Sequence, residues 1–397
     1  MKIGVYYVPS TNVLGESINQ SNLDLVKKLS QMSSVPMEFC ELDKVNDYDL
    51  ILDFIGGGGT EGRFLQVLDK LPQPVFLLTT GANNSLAASM EILSYLRQND
   101  IPGEIIHGSD AFMAQRISDL AKVFQTISKI QTLKIGRVGK PSDWLISSDV
   151  NPTDSKSFNG IEIVDIPMEE FMVEIAKKEY EKNQFTALVD NKDFDEDAKE
   201  LALEIYGALK RICIKYGLGG VTVRCFDLLQ PVKGTGCVAL AILNAEGIYA
   251  SCEGDTPALI SMALLGELTG EPVFMANPSR ILTDSNEIIF AHCTLPINMP
   301  NDFCLMSHFE SGIGVAFRGR IQEGPITVFK ASGLLDEYFV SSGVLKENLS
   351  ETNLCRTQIC LHLDESVEYF LRNSIGNHHL IIKNNYKNLI DEFFKWF

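Results

Sequence analysis

The sequence contains no stretch of the ~20 consecutive apolar residues that a membrane span needs. Its opening run, Met1 to Pro9, is too short in apolar core for a signal peptide and reads as a first β-strand. Nine cysteines are spread from Cys40 to Cys360 without a CxxC pair. That pattern builds neither a zinc framework nor a disulfide framework, and in a chain of this length it reads as buried, reduced thiols in a cytoplasmic protein. Positive charge is scarce: 34 Lys and Arg against 52 Asp and Glu leave a formal net charge of −18. Non-specific nucleic-acid binding needs basic patches and is excluded as an expectation, as is a membrane partner. The GxSxG elbow of a nucleophilic hydrolase is missing. The GKS/T of a phosphate-binding loop is missing too, and the tetraglycine run is only a weak match to the spaced glycines of a dinucleotide fold, which leaves Gly56 to Gly62 as a switch-point turn.

What remains is an ordinary globular composition, 45% apolar over 397 residues, longer than one core usually supports. Up to about Thr132, strand-like runs (Ile3 to Val8, Leu50 to Ile55, Val75 to Leu78) alternate with polar turns and helical patterns (Asn22 to Met32, Ser85 to Arg97). Such alternation predicts a parallel sheet with helices on its faces. A second block repeats it with strands Ile135 to Val138, Ile161 to Val164, Val221 to Cys225 and Gly247 to Ser251, and with helices Met168 to Tyr180 and Asp195 to Tyr216. After Gly270 short β-like runs take over: Pro272 to Ala276, Glu287 to His292, Ile313 to Phe317, Thr327 to Lys330, Glu337 to Ser341 and Thr357 to His362. The expectation is an α/β protein with two Rossmann-like parallel-sheet domains, 1–133 and 134–270, followed by a mainly β, barrel-like domain, 271–397.

Two acids, Glu253 and Asp255, stand where the strand ending at Ser251 hands over to a helix from Pro257. Ligands bind at such strand ends in open α/β sheets, although an acid there also suits a helix start. Asp227 ends the neighbouring strand. Asn277, His292, His308 and the turn Gly376-Asn377-His378-His379 are the other candidates to converge on Glu253, and Arg318 with Lys330 offers a local cationic spot for an anionic substrate. Oxygen and imidazole ligands suit Mn²⁺, Mg²⁺ or a similar cation acting as a Lewis acid. Cys252 and Cys293 flank these residues and read as buried, inert thiols.

At Arg224-Cys225-Phe226-Asp227, Cys252-Glu253-Gly254-Asp255, His292-Cys293-Thr294, Ser307 to Gly312 and Gly376-Asn377-His378, the chain resembles the L-fucose isomerase-like family, related to L-arabinose isomerases. The resemblance is clearest from about Gly219 to Ala331. It implies two α/β domains and a β-barrel, a divalent metal, Mn²⁺ in that family, and aldose–ketose interconversion of a sugar through an enediol. It also implies a homotrimer or hexamer. Carried over, Glu253, His292 and His378 are the metal ligands, with Glu253 also an acid/base. Where the family has its second carboxylate this chain has Asn277, and an amide cannot act as a base. Asp227 or Asp255 is then the expected second proton carrier, with Asn277, His308 and Arg318 on the substrate. The alternative is a catalytically idle sugar-binding or regulatory protein with the same cleft.

Overall fold

Runs of Val, Ile, Leu and Phe between polar turns make strands that are buried on both faces, as parallel sheets require. The computed structural model describes residues 1–10 and 20–397. They form two units, Met1–Ile127 with Glu392–Phe397, and Ser128–Asp391. In the first, strands β1 (Ile3–Val8), β2 (Met37–Cys40), β3 (Leu50–Ile55), β4 (Val75–Leu78) and β5 (Gly103–Ile106) make a parallel sheet in the order β2-β1-β3-β4-β5. Successive side chains of a strand point to opposite faces, so Leu50, Leu52 and Phe54 join one core with Ile117 and Leu120, while Ile51 and Ile55 join another with Phe64 and Ile92. The glycines after β3 allow two turns to touch. The Gly58 N–H donates to the Asn83 carbonyl at 2.8 Å, and a Cβ on Gly57 would lie 2.9 Å from that same oxygen.

The second unit begins with β6 (Lys134–Val138), β7 (Glu162–Ile166), β8 (Gly220–Val223) and β9 (Tyr249–Cys252), parallel in the order β7-β6-β8-β9. The long helix Glu196–Tyr216 is capped by Asp195, whose side chain accepts from the Ala198 N–H, and ends at Gly217 with φ +64°. The helix expected from Met168 to Tyr180 stops at Ile175. A capping box at Asn183 starts a separate helix, Gln184–Asp190.

The barrel closes in the order β10-β11-β16-β15-β14-β17. Its strands are β10 (Phe274–Leu282), β11 (Glu287–His292), β14 (Gly324–Ala331), β15 (Tyr338–Asn348), β16 (Thr357–Leu363) and β17 (His379–Lys383). A separate hairpin, β12 (Asp302–Met306) with β13 (Ala316–Arg320), replaces the strand expected at Ile313 to Phe317. The helix Thr256–Thr269 packs on β8 and β9 and also on β14 and β17, which is why it is apolar nearly all round. Among the described residues no helix is long and apolar enough to cross a membrane.

Candidate active site and metal centre

The turn after β9 puts Glu253 in an uncommon backbone conformation, φ +64°, followed by Gly254 at +75°. A left-handed non-glycine residue costs about 1–3 kcal/mol and persists only where its surroundings hold it. Here the Ser142 N–H donates to the Glu253 carbonyl at 2.9 Å and the Gly254 N–H to the Val223 carbonyl at 3.0 Å. The result aims the carboxylate into a cavity also lined by Asn277, His292, His308 and Glu310.

Trp144 Nε1–H donates to Glu253 Oε2 at 2.6 Å. Glu253 Oε1 lies 3.5 Å from His378 Nε2 and 3.8 Å from His292 Nε2. Burial works to raise the Glu253 pKa, but the two imidazoles outweigh it and hold the carboxyl well below its usual range. Each imidazole is oriented from behind: His292 Nδ1 is 2.8 Å from Thr294 Oγ1, and His378 Nδ1 is 2.7 Å from Asp255 Oδ2. Such partners fix the ring so that Nε2 faces a ligand. For His378, burial lowers the pKa while the Asp255 hydrogen bond and Glu253 more than offset it, to about 9.

Glu253, His292 and His378 bring one ligand atom each within 4.8 Å of one another. His378 Nε2 and Asn277 Oδ1 are buried without a hydrogen-bond partner among the described residues. Leaving a buried polar atom unpaired costs about 1–3 kcal/mol. A hard divalent cation fits this donor set of carboxylate and two imidazoles, and it would satisfy the orphaned His378 nitrogen.

The structure separates the other expected site residues. Asp255 is fully buried behind His378; it caps the helix Thr256–Thr269 through the Ala258 N–H and sits 3.9 Å from Lys330 Nζ. It cannot reach a substrate, so its expected role as proton carrier passes to positioning. Lys330, expected with Arg318 to offer a cationic spot to an anionic substrate, is itself buried, and its charge is spent on Asp255. Asp227 does not line the cavity; it is paired at 3.1 Å with Arg224, which also holds Asp143. Arg318 lies on β13 opposite Cys304 and lines a different hollow. His308 does line the cavity, with Nδ1 3.0 Å from Ser311 Oγ and its ring edge-on to Phe226. His379 is buried against Tyr369 and Phe370, away from the cavity lining.

Two functional side chains had no signal in the sequence reading. Trp144 is a loop residue whose bond to Glu253 spans 109 positions. Glu310 lies within a run already singled out, but as an exposed loop acid it carries no periodic signature. Partial desolvation and the Glu253 charge both raise its pKa above the usual carboxylate value.

No family model matches the chain. It is similar to curated sulfoquinovose isomerases. The relative from Alkalicoccus urumqiensis is 22% identical over 258 residues, 59% of this chain and 57% of that protein. Those from Priestia aryabhattai and Priestia megaterium are each 23% identical over 302 residues, 70% of this chain and 67% of theirs. The chain therefore spans between about half and two thirds of the length of these relatives.

Proposed function

We propose that this chain is a metal-dependent sugar isomerase that interconverts an aldose and a ketose. The convergence of Glu253 Oε1, His292 Nε2 and His378 Nε2 within 4.8 Å of one another, at a cavity lined by Glu253, His292 and the orphaned Asn277, carries this reading. The relatives named as isomerases favour it over an idle binding protein. A divalent cation, Mn²⁺ by family resemblance, would be held by Glu253, His292 and His378, and would supply Lewis-acid stabilisation of negative charge on the sugar oxygens.

The protein's own groups do the rest. Trp144 holds Glu253 by one oxygen and leaves the other to face the imidazoles. Asp255, charged through Lys330, keeps His378 in register. Asn277 offers an amide to a sugar hydroxyl but cannot take a proton. Glu310 stands at the cavity with a raised pKa, so its carboxylate takes the proton from one sugar carbon and returns it to the neighbouring one. A cytoplasmic location, in keeping with the reduced thiols, and a homotrimer or hexamer, implied by the same resemblance, complete the proposal; light scattering checks the assembly.

The test is metal content and ketose formation from sulfoquinovose and common aldohexoses, for the wild type and Glu253→Gln purified without chelator. About one hard divalent ion per chain and measurable turnover are expected, as the metal-site chemistry requires. The Glu253→Gln protein should stay folded and be inactive. Normal turnover by that variant sinks the mechanism. No bound metal, even after soaking with Mn²⁺, moves the reading to the idle binding protein.

A further inference from the structure

The cavity has a second wall that the isomerase reading does not use. Cys225, Cys237, Cys252, Cys293 and Cys355, five of the nine cysteines, line it. Ordinary packing of small apolar side chains does not require thiols to gather in this way. Cys237 begins the helix Cys237–Ala245, Cys293 follows β11, Cys355 precedes β16, and His308 follows β12. The Cys237 and Cys293 sulfurs are 3.2 Å apart, and Cys355 packs against the same pair. Cys237, Cys293 and His308 are all buried and offer one ligand atom each within 4.8 Å of one another.

We propose that Cys237, Cys293 and His308 form a second metal site, for a thiophilic cation of the zinc class, on the wall opposite in chemistry to the carboxylate–imidazole site. Thiolate and imidazole are the ligands zinc selects, at about 2.3 Å from sulfur and about 2.0–2.1 Å from nitrogen in a tetrahedron. Two thiolates on one such ion stand about 3.8 Å apart by that geometry, so the 3.2 Å pair has only to open slightly. His308 already has its Nδ1 engaged by Ser311 Oγ, which leaves Nε2 for the ion. Cys355 or water takes the fourth position. Binding converts two thiols to thiolates and releases their protons to solvent, with no change of oxidation state. Glu253 lines the same cavity, so zinc held there would exclude the sugar. That last consequence rests on the isomerase reading; the site itself does not.

The experiment is a Co²⁺ titration of full-length protein, dialysed against chelator and fully reduced so that all nine thiols are free by count. The expected result is a near-ultraviolet thiolate-to-cobalt charge-transfer band with the visible bands of tetrahedral cobalt, displaced by Zn²⁺ at stoichiometric addition. Cys237→Ser and Cys293→Ser should each abolish the band. His308→Ala should weaken Zn²⁺ binding by at least the roughly 10–100-fold lost with an outer-shell partner. Cys213→Ser, a buried thiol outside the cavity lining, should leave the band intact. So should Glu253→Gln, which breaks the other site; retention there separates this proposal from the isomerase reading. Absence of the band in the reduced wild type overturns the site whatever the variants do. A band that survives in folded Cys237→Ser also overturns it.

Discussion

An amide at position 277 changes what the cavity can do with a proton. Asn277 Oδ1 lies in the cavity wall, buried without a partner among the described residues, and it cannot serve as a base. Neither acid offered by the neighbouring sequence replaces it: Asp255 is sealed behind His378, and Asp227 is neutralised by Arg224. Glu310 is the remaining carboxylate beside Glu253 in the cavity lining. Replacing it by Gln keeps the shape and removes the proton acceptor. Glu310→Gln should lower kcat by roughly 10²–10⁴-fold, the usual worth of a positioned acid–base group, with metal content unchanged. Steady-state kinetics beside metal analysis checks this, and a kcat within a factor of two of wild type would return the second proton carrier to an unidentified group.

At the scale of elements, the turn joining β9 to the helix Thr256–Thr269 trades stability for the aim of Glu253. A Cβ on Gly254 would lie 2.6 Å from the Lys140 carbonyl, and its φ of +75° disfavours any L side chain. Gly254→Ala should therefore destabilise the protein by about 1–3 kcal/mol and displace Glu253, so that folded protein also loses bound metal. Urea denaturation and metal analysis decide it; unchanged values for both would show that the turn is not under this constraint. The strand β3 holds a different kind of stress. Asp53 is 1% exposed with an oxygen that has no partner among the described residues, and burial pushes its pKa up to about 8. From about pH 4 to 8 the native state keeps that proton while the unfolded chain gives it up. Stability is then fully present below the unfolded pKa, falls as pH rises by up to about 1.4 kcal/mol per unit, and levels off above pH 8. Asp53→Asn removes that slope, so its stability advantage over wild type should grow between pH 5 and pH 8 in denaturation curves. A constant difference would mean that Asp53 is already ionised in the native state.

Across the whole molecule, what could be read from the sequence follows how local each signal is. Leu50–Ile55 and Glu287–His292 carry their identity in a continuous apolar run and were legible to the residue. Met37–Cys40 is short, half-buried and interrupted by Glu38, and Asp302–Met306 alternates exposed and buried side chains over only five residues, so neither stood out. The site divides in the same way. Glu253 sits at a strand end and His378 in a glycine turn, positions a sequence can mark, whereas Trp144 reaches Glu253, and Glu310 the cavity, only because loops far apart in the chain fold to one place.

The two tryptophans, Trp144 and Trp396, turn that long-range assembly into a measurement, because they fall in different units. Trp144 donates to Glu253, while Trp396 packs edge-on to Phe76 in the first unit. In Trp396→Phe, the remaining indole should change its emission as a divalent cation is added, since the cation competes for the carboxylate to which Trp144 is bonded. In Trp144→Phe, the emission of Trp396 should stay constant over the same titration. The unfolding midpoint reported by Trp144 should also rise with the cation, by about 2.7 kcal/mol of added stability at a hundredfold excess over the dissociation constant. If only Trp396 responded, the cation would be bound elsewhere than Glu253, His292 and His378, and the metal centre would have to be sought outside the cavity in the second unit.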